Sequence, residues 1–191
     1  MCYYLNMINA DKKFIFNKED YVLYLLNQLE PGKSDKIRLN KIAFFVEFAY
    51  LYSHKRELSD AKYAAIDNGP VIDGYDSLLK KMVNEKKIVV DNYLIRPQKN
   101  FSVKIPEHIS CFISAVIKKY STLNNSELIA LSHATDSYKI TTDNERKMGK
   151  IINKKLAFLE TFFEEGESDE QIAEGELPVI NKSKLVKYEF V

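Results

Sequence analysis

Tryptophan is absent from this 191-residue chain, and glycine and proline are scarce, with six and five residues. So few chain-breaking residues exclude collagen-like and low-complexity architectures, and they leave too few tight turns for a sandwich or barrel. The only two cysteines, Cys2 and Cys111, stand far apart and outside any CxxC, and no cleavable N-terminal signal is expected. A disulfide framework is therefore not expected. Long apolar runs are missing as well. The longest, Ile42 to Tyr52, is interrupted by Glu47 and falls far short of the ~20 residues that span a bilayer, so no membrane segment and a cytoplasmic location are expected.

Chemical motifs are equally thin. The three histidines, His54, His108 and His133, lack the spacing of a metal site, and no metal is expected. No glycine-rich phosphate loop and no GxSxG elbow occurs, so no nucleotide or other cofactor is expected. Ser132, His133 and Asp136 hold the residue types of a nucleophilic triad. Adjacent side chains on a helix face different ways, however, and structural or capping roles are the better reading. Asp73 and Asp76 read as acids at a helix start, favoured there by the helix dipole. No catalytic residue is assigned, and the chain is expected not to be an enzyme.

What the chain does have is apolar surface, 46% of residues, with 11 Phe and 12 Tyr among them. That suffices for a real core in a single domain of this length. The net charge of +1 conceals a split. Residues 1–159 carry 25 basic against 18 acidic residues, net +7, whereas residues 160–191 carry three against nine, net −6. Lysines at 80, 81, 86, 87, 118, 119, 147, 150, 154 and 155 keep a nucleic-acid-binding reading open. They are scattered and mostly near helix ends, where solvated cations complement the dipole.

Helical periodicity dominates the first 163 residues. Asn17 caps a predicted amphipathic helix with Tyr21, Leu25 and Leu29 on one side and Pro31-Gly32 as its stop. Ser34 to Tyr52 is apolar almost all round, with a thin polar line through Asn40, Glu47 and His54, as suits the central helix of a bundle. Lys62–Ile66 then meets Asp67-Asn68-Gly69-Pro70, where the chain breaks and a helix is predicted to restart from Val71 to Glu85. Lys87–Val90 and Tyr93–Pro97 predict a short hairpin around Asp91-Asn92. Further helices are predicted from Pro106 to Tyr120, from an Asn125 cap through His133, and from Asp143 to Phe163. The expected fold is mainly α with some β: a compact helical domain over residues 1–163 with one small β-hairpin or sheet. Residues 164–191 form a flexible acidic linker and an apolar tail. That tail either folds back as an edge strand or loose terminus, or recognises a partner by strand addition or by folding on binding.

One stretch is more specific. Ile37 to Phe45, then Leu58, then Ala65-Ile66-Asp67-Asn68-Gly69-Pro70-Val71 and Tyr75 resemble the Panacea-domain antitoxins, which include SocA-like and phage-associated GepA-like proteins. In that family a K-L-x-K-L-L-Y-F helix precedes a G-x-P-L turn and an A-W-x-x-G-P-V segment with a tyrosine beyond. The chain keeps Lys41, the aromatic at Phe45, Leu58, Ala65, Gly69-Pro70-Val71 and Tyr75. It departs at Lys55, where glycine is usual, at Ile66, where tryptophan is common, and at Asn68, where an aromatic is common. Leu131-Ser132-His133 through Tyr138 is similar to the family's L-T-H followed by P-W, with Tyr138 in place of the tryptophan. Together these motifs span roughly residues 17–160.

The resemblance implies a helical antitoxin of a type II toxin–antitoxin pair that binds a cognate toxin encoded nearby. It marks Lys41, Phe45, Gly69, Pro70, Val71, Tyr75, His133 and Tyr138 as motif or partner-binding residues. For Gly69 and Pro70 a turn-forming role competes with contact. Tyr75 and His133 either fill space beside that turn or present polar tips. Lys41 either snorkels outward or pairs with Glu47 or Asp67. Two other readings stand beside neutralisation: an adaptor that presents a client to a protease, and a transcriptional regulator that binds DNA or RNA.

Overall fold

A computed structural model describes residues 14–98 and 103–163. The acidic linker and tail expected over 164–191 lie outside the described residues. Helix α1 (Lys18–Gln28) starts where the Asn17 side chain accepts a hydrogen bond from the Asp20 N–H at 2.8 Å, and Glu19 and Asp20 occupy its first turn. Helix α2 (Lys36–His54) is capped in the same way by Asp35, whose carboxylate accepts from the N–H groups of Ile37 and Arg38. Every residue from Arg38 to Leu51 is buried, so α2 is the central helix that its all-round apolar pattern predicts. Helix α1, two later α-helices, a 3-10 helix and a small sheet pack on it. It ends at Lys55 in a left-handed conformation, φ 54°. This is the position where the related motif has glycine, the residue that adopts such a backbone without strain.

The chain then forms β1 (Tyr63–Ile66) and β2 (Gly69–Ile72), an antiparallel hairpin around Asp67-Asn68. Here the structure corrects the sequence reading, since Val71 pairs with Ala64 in the ladder and does not begin a helix. Proline is tolerated because β2 is an edge strand, where its missing N–H breaks no ladder bond. Helix α3 (Tyr75–Asn84) follows only after Gly74. Strands β3 (Ile88–Asp91) and β4 (Leu94–Pro97) form the predicted hairpin, with the turn at Asn92-Tyr93, one residue later than predicted. Asn92 supplies the positive φ. Helix α4 (Glu107–Tyr120) agrees with its predicted span. Helix α5 (Asn125–Ala134) is capped by Asn124 and not Asn125, in a reciprocal box with Glu127.

The largest departure comes last. In place of one helix from Asp143 to Phe163 there is a short α6 (Asp136–Thr142), a turn, strand β5 (Lys150–Ile152) and a 3-10 helix (Lys154–Leu159). Three successive residues, Asp143, Asn144 and Glu145, have positive φ and end α6. Ile152 then pairs with Tyr63, and β5 completes a sheet of order β2-β1-β5. The long-range pairing outweighs the helical spacing of Ile151, Ile152, Lys155 and Leu159. The fold is mainly helical with two small β elements.

Two buried carboxylates hold this last segment in place. Glu160, on the far side of the 3-10 helix, accepts from the backbone N–H groups of Asp136 and Ser137 at 3.0 and 2.9 Å and from the Ser137 hydroxyl, capping α6. Asp136 in turn accepts from the Thr161 N–H and hydroxyl, each at 2.9 Å. Glu47 of α2 is fully buried. It meets Lys154 Nζ at 2.8 Å, the Ser59 hydroxyl at 2.5 Å and the Leu58 and Ser59 N–H groups at 3.2 Å. Burial pushes the Glu47 carboxyl upward in pKa, and Lys154 and Ser59 hold that rise back.

Lys154→Met leaves this carboxylate uncompensated and is expected to cost about 3–5 kcal/mol, with the Glu47→Gln/Lys154→Met pair recovering part of the loss. Urea unfolding of the wild type and the two variants reads this, and a single-variant cost under about 1 kcal/mol would mean that water reaches the pair. Lys55→Gly removes a left-handed non-glycine residue and is expected to raise the melting temperature by about 2–4 °C, the equivalent of about 1 kcal/mol in a domain of this size.

Candidate functional site

The motif residues meet where α2 passes β2. Asn40 and Lys41 stand side by side on α2, and each reaches the outer edge of β2: Asn40 Oδ1 accepts from the Ile72 N–H at 2.8 Å, and Lys41 Nζ donates to the Pro70 carbonyl at 2.9 Å. Two backbone groups that point away from β1 are thereby satisfied by side chains of the central helix. Lys41 neither snorkels outward nor pairs with Glu47 or Asp67, which corrects the expectation drawn from sequence. It is 1% exposed, no described carboxylate lies within ion-pair distance, and Glu47 is taken by Lys154. Burial brings its pKa down to about 7.

Gly69 is required here on two counts. Its φ of +80° favours glycine, and a Cβ would collide with Ser132 Oγ and stand 3.0 Å from Lys41 Nζ. Ser132 is fully buried and donates to the Ile129 carbonyl at 2.8 Å. The next residue, His133, stacks on Tyr138 with ring centres 4.5 Å apart and an interplanar angle of 18°, and its Nδ1 lies 2.7 Å from Glu145 Oε1. His133 Nε2 is buried with no partner among the described residues. Tyr138 is buried and donates to the Ile66 carbonyl at 2.8 Å. Its pKa is pushed up to about 12, first by burial and then by the charges of Glu145 and Asp67. Lys41, Gly69, Pro70, His133 and Tyr138 thus form one cluster around the β1–β2 turn.

The other three motif residues lie elsewhere. Phe45 is buried on α2, stacked on Tyr120 at 4.5 Å and on Phe162 at 5.9 Å. Val71 is half-buried in β2 opposite Ala64, in the row that continues to Ile151 of β5. Tyr75 is half-buried at the start of α3 with Lys36 Nζ 5.8 Å from its ring centre, and Lys36 pairs with Asp76 at 3.1 Å. Sequence reasoning missed Asn40 as a strand clamp, Ser132 as the neighbour of Gly69, and Glu145 as the partner of His133. Only Asn40 had a readable signal, a polar side chain in an otherwise apolar helix.

Chemically the cluster is a clamp. Ser132, His133 and Asp136 bond to Ile129, Glu145 and Thr161 respectively and do not form a triad. The clefts beside α1 and α3 are lined by other residues. Among the described residues no group of three metal-ligating side chains could hold an ion, and no helix is long and apolar enough to cross a membrane. Several of the lysines that kept nucleic acid open are paired. Lys81 and Lys87 both reach Glu19, Lys147 reaches Asp143, and Lys154 turns inward.

Gly69→Ala is expected to destabilise by at least about 2 kcal/mol, combining the left-handed backbone cost with the clash on Ser132 and Lys41. For Lys41 the sign of the pH effect follows from a folded-state pKa of about 7 against 10.5. Between those values the unfolded chain binds more protons, so Lys41 costs most below pH 7 and its cost relaxes as pH rises. In Lys41→Met this dependence is removed, while the Pro70 carbonyl loses its donor. The stability of wild type relative to Lys41→Met is therefore expected to increase by about 1–3 kcal/mol from pH 6 to 9, and a flat difference in chemical denaturation would refute it.

The clamp residues fall inside a family match. The profile described as antitoxin SocA-like, Panacea domain, matches residues 39–139, just over half of the chain, from the central helix through Tyr138 and Lys139. No curated protein and no solved structure matches the chain. The matched span begins at Leu39, beside Asn40 and Lys41, and ends just beyond the tyrosine that bonds to the β1–β2 turn, and on that match the chain belongs to the SocA-like antitoxins of the Panacea-domain family.

Proposed function

We propose that the protein is the antitoxin of a type II toxin–antitoxin pair, a non-catalytic protein that neutralises a toxin encoded nearby by binding it directly. The observation that carries this reading is the family match over residues 39–139. The clamp beneath that match is inward-facing scaffold, so binding falls to the surface it supports. One surface suits protein binding. The bridge between Asp35 and Leu94 brings the tip of the β3–β4 hairpin to the start of α2. There Tyr93, Ile37, Val83 and Val90 are exposed, Tyr93 by 69%. Lys36, Lys80, Val83 and Val90 line one cleft of about 400 Å³ in this region. An aromatic beside valines with lysines at the rim combines a desolvated centre with charges that speed association.

Co-expression with the adjacent small reading frame tests the reading. The neighbour is expected to arrest growth alone, to be harmless with this chain and to co-purify with it. A harmless neighbour, or one silenced without any complex, rejects direct neutralisation. Val90→Glu/Tyr93→Glu is expected to weaken toxin binding at least ~30-fold, the scale of a hot-spot loss. Its melting temperature should stay within about 2 °C of wild type, because both side chains are exposed. Removing residues 164–191 separates neutralisation from adaptor action: an adaptor retains client binding and loses client turnover.

A further inference from the structure

The end of α2 and the 3-10 helix leave apolar side chains in water beside cations. Phe158 and Leu159 are 43% and 62% exposed. A cleft of about 290 Å³ opens next to Phe158, lined by Leu51, Lys55 and Lys155 and by Glu57, whose charge is met by Lys154 at 3.3 Å. Lys55 Nζ lies 4.8 Å from the Tyr52 ring centre and 5.2 Å from that of Phe158, so the charge is laid along aromatic surface. Lys154 turns inward to Glu47 and Glu57, whereas Lys55 and Lys155 have no carboxylate within ion-pair distance among the described residues. The result is a positively charged rim around an aromatic floor.

The described chain ends beside this cleft. The Phe163 ring is 5.8 Å from Tyr52, the ring that carries Lys55. Residues 164–191 follow, with eight acidic residues against three lysines. Seven of the acids precede Leu177, and Leu177-Pro178-Val179-Ile180 comes next. The chain thus supplies both carboxylates for the lysines and an apolar segment for the exposed Phe158 and Leu159.

We propose that residues 164–180 of this same chain dock back over the cleft, with carboxylates on Lys55 and Lys155 and the Leu177–Ile180 segment on Phe158 and Leu159. A tethered segment meets its site at an effective concentration of about millimolar, so a contact too weak to persist between separate molecules is populated within one. Charge supplies much of the attraction, so salt weakens it. Docking shields the apolar rim from indiscriminate association, and a protein that uses this face must displace the tail. The inference does not rest on the neutralisation reading, because it concerns the protein without any partner.

The test uses the full chain, ¹⁵N-labelled, with Cys2→Ser and Cys111→Ser and a nitroxide on Ser183→Cys. A free tether of about 20 residues would hold the label roughly 25 Å from its root on average, a distance that sets the background. The amides of Lys55, Lys155 and Phe158 are expected to be broadened at least threefold more at 50 mM than at 500 mM NaCl, and at least threefold more than in the Lys55→Glu/Lys155→Glu background. Should that double variant fail to fold, the wild-type salt series decides alone. Broadening that is unchanged by salt and substitution overturns the proposal. So does broadening seen only between ¹⁵N chains and separately spin-labelled chains, which would make the occupant a second copy.

Discussion

The carboxylate of Glu47 is taken out of water at the middle of the central helix, and its needs there bind distant parts of the chain together. A buried charge is tolerable only when an opposite charge and hydrogen-bond donors surround it. Leu58 and Ser59 supply backbone donors from the loop after α2, Ser59 adds a hydroxyl, and Lys154 arrives from more than a hundred residues away. The Lys154 ammonium also bonds to the Ser59 carbonyl at 2.6 Å, so loop and 3-10 helix are held to each other as well as to α2. Such a pair adds little net stability over an apolar substitute. What it provides is uniqueness, because few other arrangements bring these groups to the same carboxylate.

The same logic governs the polar residues about two turns earlier. Asn40 and Lys41 sit in a helix with no water on any side, and the backbone of β2 is what they bond to. In return, the edge of the small sheet is sealed by side chains where an open edge would invite another strand. Gly69 then follows from packing as much as from turn geometry, since the space a Cβ would need holds Ser132 and Lys41. Tyr21 and Tyr63 extend the theme by both donating to the Ala43 carbonyl, at 2.7 and 2.9 Å, so that α1 and β1 hang on one backbone group of α2.

Much of this was legible in the sequence where the signal is local. The cap at Asn17, the all-round apolar α2 and the two-residue turn between β3 and β4 are set by neighbouring residues, and they appear within a residue or so of their predicted places. The segment after Tyr138 was misread because its fate is decided at long range. Ile151 and Ile152 keep a helical spacing with Lys155 and Leu159, but β1 offers a free ladder and Glu47 awaits Lys154. For the candidate site, the Gly69-Pro70 turn and the place of His133 beside it were readable from motif order, whereas Tyr75, expected there too, lies at the start of α3 beside Lys36. The carbonyl partner of Lys41 was not, because an acceptor on the backbone leaves no trace in residue identity.

The sheet order β2-β1-β5 has a consequence for how the molecule is made. Strand β1 is the middle strand, yet one of its neighbours lies about 90 residues further along. On a ribosome that releases the chain from its N-terminus, the hairpin β1–β2 and the central helix emerge long before β5 and Lys154. During that interval the far edge of β1 is unpaired and the Glu47 carboxylate is without its cation. A nascent chain stopped before residue 154 therefore exposes a strand edge and a misplaced charge, both features that quality-control proteases and chaperones engage. The emergence of β5 and Lys154, and not local propensity, sets the moment at which this fold closes.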